Sequence, residues 1–79
     1  MSQIEKRLRD LAAGNELPWY KVAALLVHFG ATVQAPNGGS HYKVFIKGKP
    51  TLVIPVHNGM IKKVYAKKIS DYLEEYIND

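Results

Sequence analysis

His41 and His57 are the residues of this chain best suited to moving a proton near neutral pH, and each stands beside a glycine-bearing turn. An imidazole titrates close to neutrality unless its surroundings move it, so a useful fraction is neutral and basic under cellular conditions. His41 follows Asn37-Gly38-Gly39-Ser40, while His57 closes Val53-Ile54-Pro55-Val56 and precedes Asn58-Gly59. The ionic residues between and beyond them are nearly all lysine: Lys43, Lys47, Lys49, Lys62, Lys63, Lys67 and Lys68. A proton-transfer group in a basic field suits phosphate chemistry, in which a base takes a hydroxyl proton while cations hold the phosphoryl oxygens.

The net charge of +4 understates this asymmetry, because no Asp or Glu occurs between Glu16 and Asp71 while that interval carries eight lysines. Such a surface fits a polyanion through phosphate neutralisation and counterion release. The plainer reading is a solubilising charge; the complete lack of acids favours a ligand. With no cysteine, disulfides, thiolate zinc sites and thiol nucleophiles are excluded together. The three histidines lack the short ligand spacing of a metal site and have no acidic neighbour in sequence, so neither a metal nor another cofactor is expected. Phosphate loops, dinucleotide fingerprints and serine–histidine–acid sets are likewise missing.

A chain of 79 residues makes one small domain with a single core, so a ligand should sit on its surface. No apolar run approaches a membrane span, and Met1-Ser2-Gln3-Ile4-Glu5-Lys6-Arg7 is not followed by a secretory segment; a cytoplasmic protein with no membrane partner is expected.

The elements that must position these residues follow from periodicity. From Ser2 to about Ala13, Ile4, Leu8, Leu11 and Ala12 recur at helical spacing, with Ser2 as cap and Gly14-Asn15 as stop. Pro18 fits the first turn of a second helix whose buried stripe is Val22, Leu25, Leu26 and Phe29, ending at Gly30. Trp19 and Tyr20 read as packing or partner contacts, and His28 as a helix-end residue near terminal carbonyls. A short strand over Ala31 to Ala35 leads through Pro36-Asn37-Gly38-Gly39 into a run that alternates: Tyr42, Val44 and Ile46 face a core, and His41, Lys43, Phe45 and Lys47 face water. A third strand over Thr51 to Val56 buries Leu52, Ile54 and Val56, with Pro55 suited to an edge. A last helix from about Tyr65 to Ile77 buries Ile69, Tyr72, Leu73, Tyr76 and Tyr65. Its lysines crowd the N-terminal end and its acids the C-terminal end, against the macrodipole, unless an anion binds where helix amides and ammonium groups meet. The class is therefore α+β: a three-stranded antiparallel sheet with helices on one face.

Gly39-Ser40-His41 opening one strand, Ile54-Pro55-Val56-His57 closing the next, and a basic final helix resemble the HicA-type toxins of bacterial toxin–antitoxin pairs, over roughly Val22 to the C-terminus. The resemblance implies a double-stranded-RNA-binding-domain-like α-β-β-β-α fold over residues 18–79, preceded by an additional N-terminal helix in residues 1–15. It implies an mRNA interferase, neutralised as a hetero-oligomer by a HicB-type antitoxin. His41 corresponds to the active-site histidine, Gly39 and Ser40 to the motif before it, and Pro55 and His57 to the second motif. Many members carry a basic residue before the triplet, where this chain has Ala35-Pro36-Asn37-Gly38.

On this reading His41 is the base for cleavage of single-stranded mRNA without a metal, and Lys43, Lys62 or Lys63 stabilise the transition state. Gly39 lets RNA approach the backbone. For His57, a leaving-group acid, an RNA contact and a bond holding the Asn58-Gly59 turn all stay open. So does a second class of function, a non-catalytic RNA- or protein-binding module on the same fold. Phe45, on the wet face, could stack a base or meet a protein.

Overall fold

A computed structural model describes residues 2–74. Ser2 caps the first helix, α1 (Gln3–Ala12): its hydroxyl accepts the Glu5 N–H at 3.1 Å and donates to the Glu5 carboxylate at 3.3 Å. One side chain thus satisfies a donor that the first turn leaves open. Gly14, at φ +76°, ends α1; its N–H donates to the Leu11 carbonyl and the Asn15 N–H to that of Asp10. This paired-bond ending favours glycine. The second helix, α2 (Trp19–His28), ends the same way, Gly30 donating to Val27 and Ala31 to Leu26. Pro18 stands at the N-cap rather than inside the first turn and brings no capping side chain. The Trp19 N–H donates instead to the Gly59 carbonyl at 2.7 Å.

Strands β1 (Thr32–Gln34), β2 (His41–Phe45) and β3 (Leu52–Pro55) form an antiparallel sheet in the order β1-β2-β3. All three are shorter than the alternation predicts, because the chain turns early; the Lys49 N–H already closes a turn onto the Ile46 carbonyl. Pro55 lies on an edge strand, as expected. The Val56 N–H donates to the Ser40 carbonyl at 2.8 Å, which makes the adjacent His41–Pro55 pair a non-hydrogen-bonded one. The N–H that Pro55 lacks would point away from β2, so the ladder loses nothing.

Val44, Ile46 and Ile54 are buried on one sheet face, with Tyr42, Leu52 and Val56 packed around them. The helices share one core with that face: α1, packed on α2 and on the third helix, contributes Leu8 and Leu11 beside Val22, Leu25 and Leu26 of α2. The third helix, α3 (Lys63–Tyr72), adds Ala66 and Ile69, and Leu73 follows at its C-cap. α3 begins two residues before the expected Tyr65, so Lys62 is its N-cap and Lys63 its first residue. Its expected continuation to Ile77, with Tyr76, lies outside the described residues. The Tyr72 hydroxyl donates to the Pro50 carbonyl at 2.9 Å and Lys49 Nζ lies 5.3 Å from the Tyr72 ring centroid, tying the β2–β3 connection to α3. Among the described residues no helix is long and apolar enough to cross a membrane.

Candidate nucleic-acid interface

The sheet face away from the helices carries His41, Lys43 and Phe45 on β2, Thr32 and Gln34 on β1, and Val53 on β3, all exposed. Cross-strand register sets their neighbours: His41 opposite Pro55, Lys43 between Gln34 and Val53, Phe45 opposite Thr32. The His41–Pro55 and Lys43–Val53 pairs are of the non-hydrogen-bonded type, in which side chains stand closest. His41 and Lys43 are two residues apart on one strand face, with Cα atoms about 6.8 Å apart. Together with Gln34, Ala35, Pro36 and Asn37 they line a shallow depression of about 160 Å³. Among the described residues its lining contains no carboxylate, and it offers an anion dipoles, an imidazole and an ammonium group.

The loop delivering His41 runs through Gly38 at φ +74° and Gly39 at φ +111°. A Cβ at either would meet nothing within 4 Å, so backbone conformation and not crowding calls for glycine, and the loop backbone stays open to a ligand. Ser40 differs: its carbonyl is committed to the Val56 N–H, which fixes the strand immediately before His41.

His57 is exposed too, but its surroundings are of another kind. Its N–H and carbonyl both pair with Met60, at 3.0 and 2.9 Å, around Asn58 at φ +53° and Gly59 at φ +74°. Two consecutive positive φ angles in a two-residue connection are the geometry for which Asn-Gly is favoured. Through the Gly59 carbonyl this turn also caps α2. Of the roles open to His57, holding the turn is thus met by its backbone, and the imidazole does not line the depression beside His41.

Neither Lys62 nor Lys63 lines the depression beside His41. They stand at the start of α3, and the Lys63 and Lys67 stems cover Gly14, where a Cβ would come within 2.9 Å of Lys63 Cε and 3.1 Å of Lys67 Cε. Lys68 lies over Tyr65, 5.4 Å from the ring centroid. The packing of α3 on α1 brings Lys63 onto the end of α1. His28 is the last residue of α2 and meets Phe29 edge-on at 5.1 Å. Trp19 is buried against Tyr42, with ring centroids 4.9 Å apart, which removes both from base stacking; Tyr20 is exposed.

Residue type alone does not single out Gln34 and Asn37, yet both line the depression. Asn37 lies in the loop that flags His41, whereas Gln34 arrives through cross-strand register, for which the sequence carries no local signal. Among the described residues no three His, Cys, Asp or Glu side chains are grouped as around a metal ion. Compared with protein-family models, curated proteins and solved structures, the chain finds no match. Its functional reading rests on its own residues.

Proposed function

We propose that the chain is a HicA-type mRNA interferase, a metal-independent endoribonuclease acting on single-stranded mRNA in the cytoplasm as the toxin of a type II toxin–antitoxin pair. The observation that carries this reading is His41 beside Lys43 on the solvent face of the central strand, at the rim of a depression that has no carboxylate among the described residues. The imidazole takes the proton of the 2′-hydroxyl, the 2′-oxygen bonds to phosphorus, and the bond from phosphorus to the 5′-oxygen breaks. Lys43 offsets the charge gathering on the phosphoryl oxygens. The departing 5′-oxygen takes a proton from water or His57, leaving a 2′,3′-cyclic phosphate and a 5′-hydroxyl. Lys62 and Lys63 serve flanking RNA rather than the reacting phosphate.

The order α2-β1-β2-β3-α3 supports a double-stranded-RNA-binding-domain-like fold, with α1 sharing its core. A HicB-type antitoxin with acidic or apolar groups would complement the sheet face and block His41.

A second reading keeps the surface and drops the chemistry. It is favoured by the depression itself, where His41 and Lys43 are the only titratable side chains among the described residues; His41 then contacts phosphate without moving a proton. Purified protein incubated with labelled single-stranded RNA and a chelator separates the two: shortened fragments support the enzyme, and intact RNA that is nonetheless bound supports the module.

A further inference from the structure

Phe45 and Val53 are two large apolar side chains left 39% and 46% exposed on a sheet face that, Pro55 aside, carries polar and cationic groups. Neither is needed by the core, which the opposite face of the same strands fills with Val44 and Ile54. Phe45 stands two residues from Lys43 on the same strand and face, about 6.8 Å away, and Val53 stands directly opposite Lys43. An ammonium group flanked by a ring and an aliphatic side chain matches the parts of one nucleotide: phosphate on the lysine, base on the ring, sugar between.

We propose that Phe45 is a base platform, on which an unpaired base next to the phosphate held by Lys43 and His41 lies flat, so that this face takes single strands and rejects duplexes. The inference rests on the reading of this face as an RNA site and deepens it. A ring can stack only on the open face of a base, and within a duplex both faces are occupied by neighbouring bases. The polar groups around the ring, Thr32 opposite it and Gln34 beside Lys43, are neutral and tolerate any base above them. Stacking is sequence-tolerant because every base has a π-face, so Phe45 sets strandedness rather than sequence.

The test uses a single-stranded 2′-O-methyl oligonucleotide carrying a fluorescent purine analogue; lacking a free 2′-hydroxyl, it is bound without being cut. Wild type should bind it and quench the fluorophore, Phe45→Ala should bind about tenfold more weakly with the quenching lost, and Phe45→Tyr should retain both. Phe45→Leu keeps the apolar bulk if the alanine variant does not fold, and should also lose quenching. The matching duplex should bind wild type far more weakly than the single strand, and equal affinity for the two would overturn the strand preference. Equal affinity and quenching with Phe45→Ala or Phe45→Leu would overturn the platform while sparing the RNA site, and would leave Phe45 to a protein contact. Failure of wild type to bind any strand would overturn the RNA site and the platform with it.

Discussion

The turn ahead of His41 and the turn behind His57 both run through asparagine and glycine, but they are held differently. Around Asn58 and Gly59 the chain is closed by two backbone bonds between His57 and Met60 and is fixed to α2 by the Trp19 N–H. Around Gly38 and Gly39 it is exposed, with open space beside both glycines. A histidine beside a fastened turn belongs to the scaffold through its main chain. One beside an open turn, on the central strand and next to a lysine, is free to meet a ligand. The two histidines are therefore unequal, and this difference can be broken or sharpened by experiment.

The largest effect expected is on catalysis. His41→Ala should lower RNA cleavage roughly 100- to 10,000-fold, the usual contribution of a general base, with an unchanged circular dichroism spectrum. His57→Ala should stay within about tenfold of wild type, water serving as leaving-group acid. Equal losses from the two variants would erase the distinction between the turns.

The next effect is on stability. Gly59→Ala forces an L-residue into positive φ inside a closed, docked turn and should cost about 1–2 kcal/mol, lowering the melting temperature by about 4–8 °C per kcal/mol. Gly38→Ala meets the same backbone preference in a loop free to readjust, so its cost should be under about 0.5 kcal/mol. Thermal denaturation of the two variants side by side checks this.

Much of this layout is legible in the residues and some is not, for reasons that differ by element. Alternation through Tyr42, Val44 and Ile46 places His41 and Lys43 on the wet face because a strand has only two faces. The helix stops at Gly14 and Gly30 are local chemistry and read directly. Lys63 is another matter: its place at the start of α3 and its stem over Gly14 depend on how α3 crosses α1, a tertiary fact with no local sign. Ala66 is buried for the same reason, and Gln34 joins the depression only through pairing with Lys43. Leu8 and Leu11 show α1 to be part of the core, although it lies outside the stretch on which the proposed toxin reading rests.

The smallest effect concerns the lysines. Lys43→Ala should weaken binding of single-stranded RNA and reduce the slope of log affinity against log salt by about 0.7, the loss of one phosphate contact. Lys63→Ala should change the cleavage rate of a short oligonucleotide little, because its stem packs on Gly14. Fluorescence titrations at several salt concentrations distinguish them; a larger slope change for Lys63 would move the RNA path to the helix layer.

The central claim is that His41 activates a 2′-hydroxyl, and the chemistry of the RNA ends tests it most directly. Purified wild type and His41→Ala are incubated with a defined single-stranded RNA in chelator, and the fragments are weighed by mass spectrometry. Fragments ending in 2′,3′-cyclic phosphate from wild type and none from the variant are predicted. Fragments with 3′-hydroxyl ends, or cyclic ends produced equally by His41→Ala, would contradict the account.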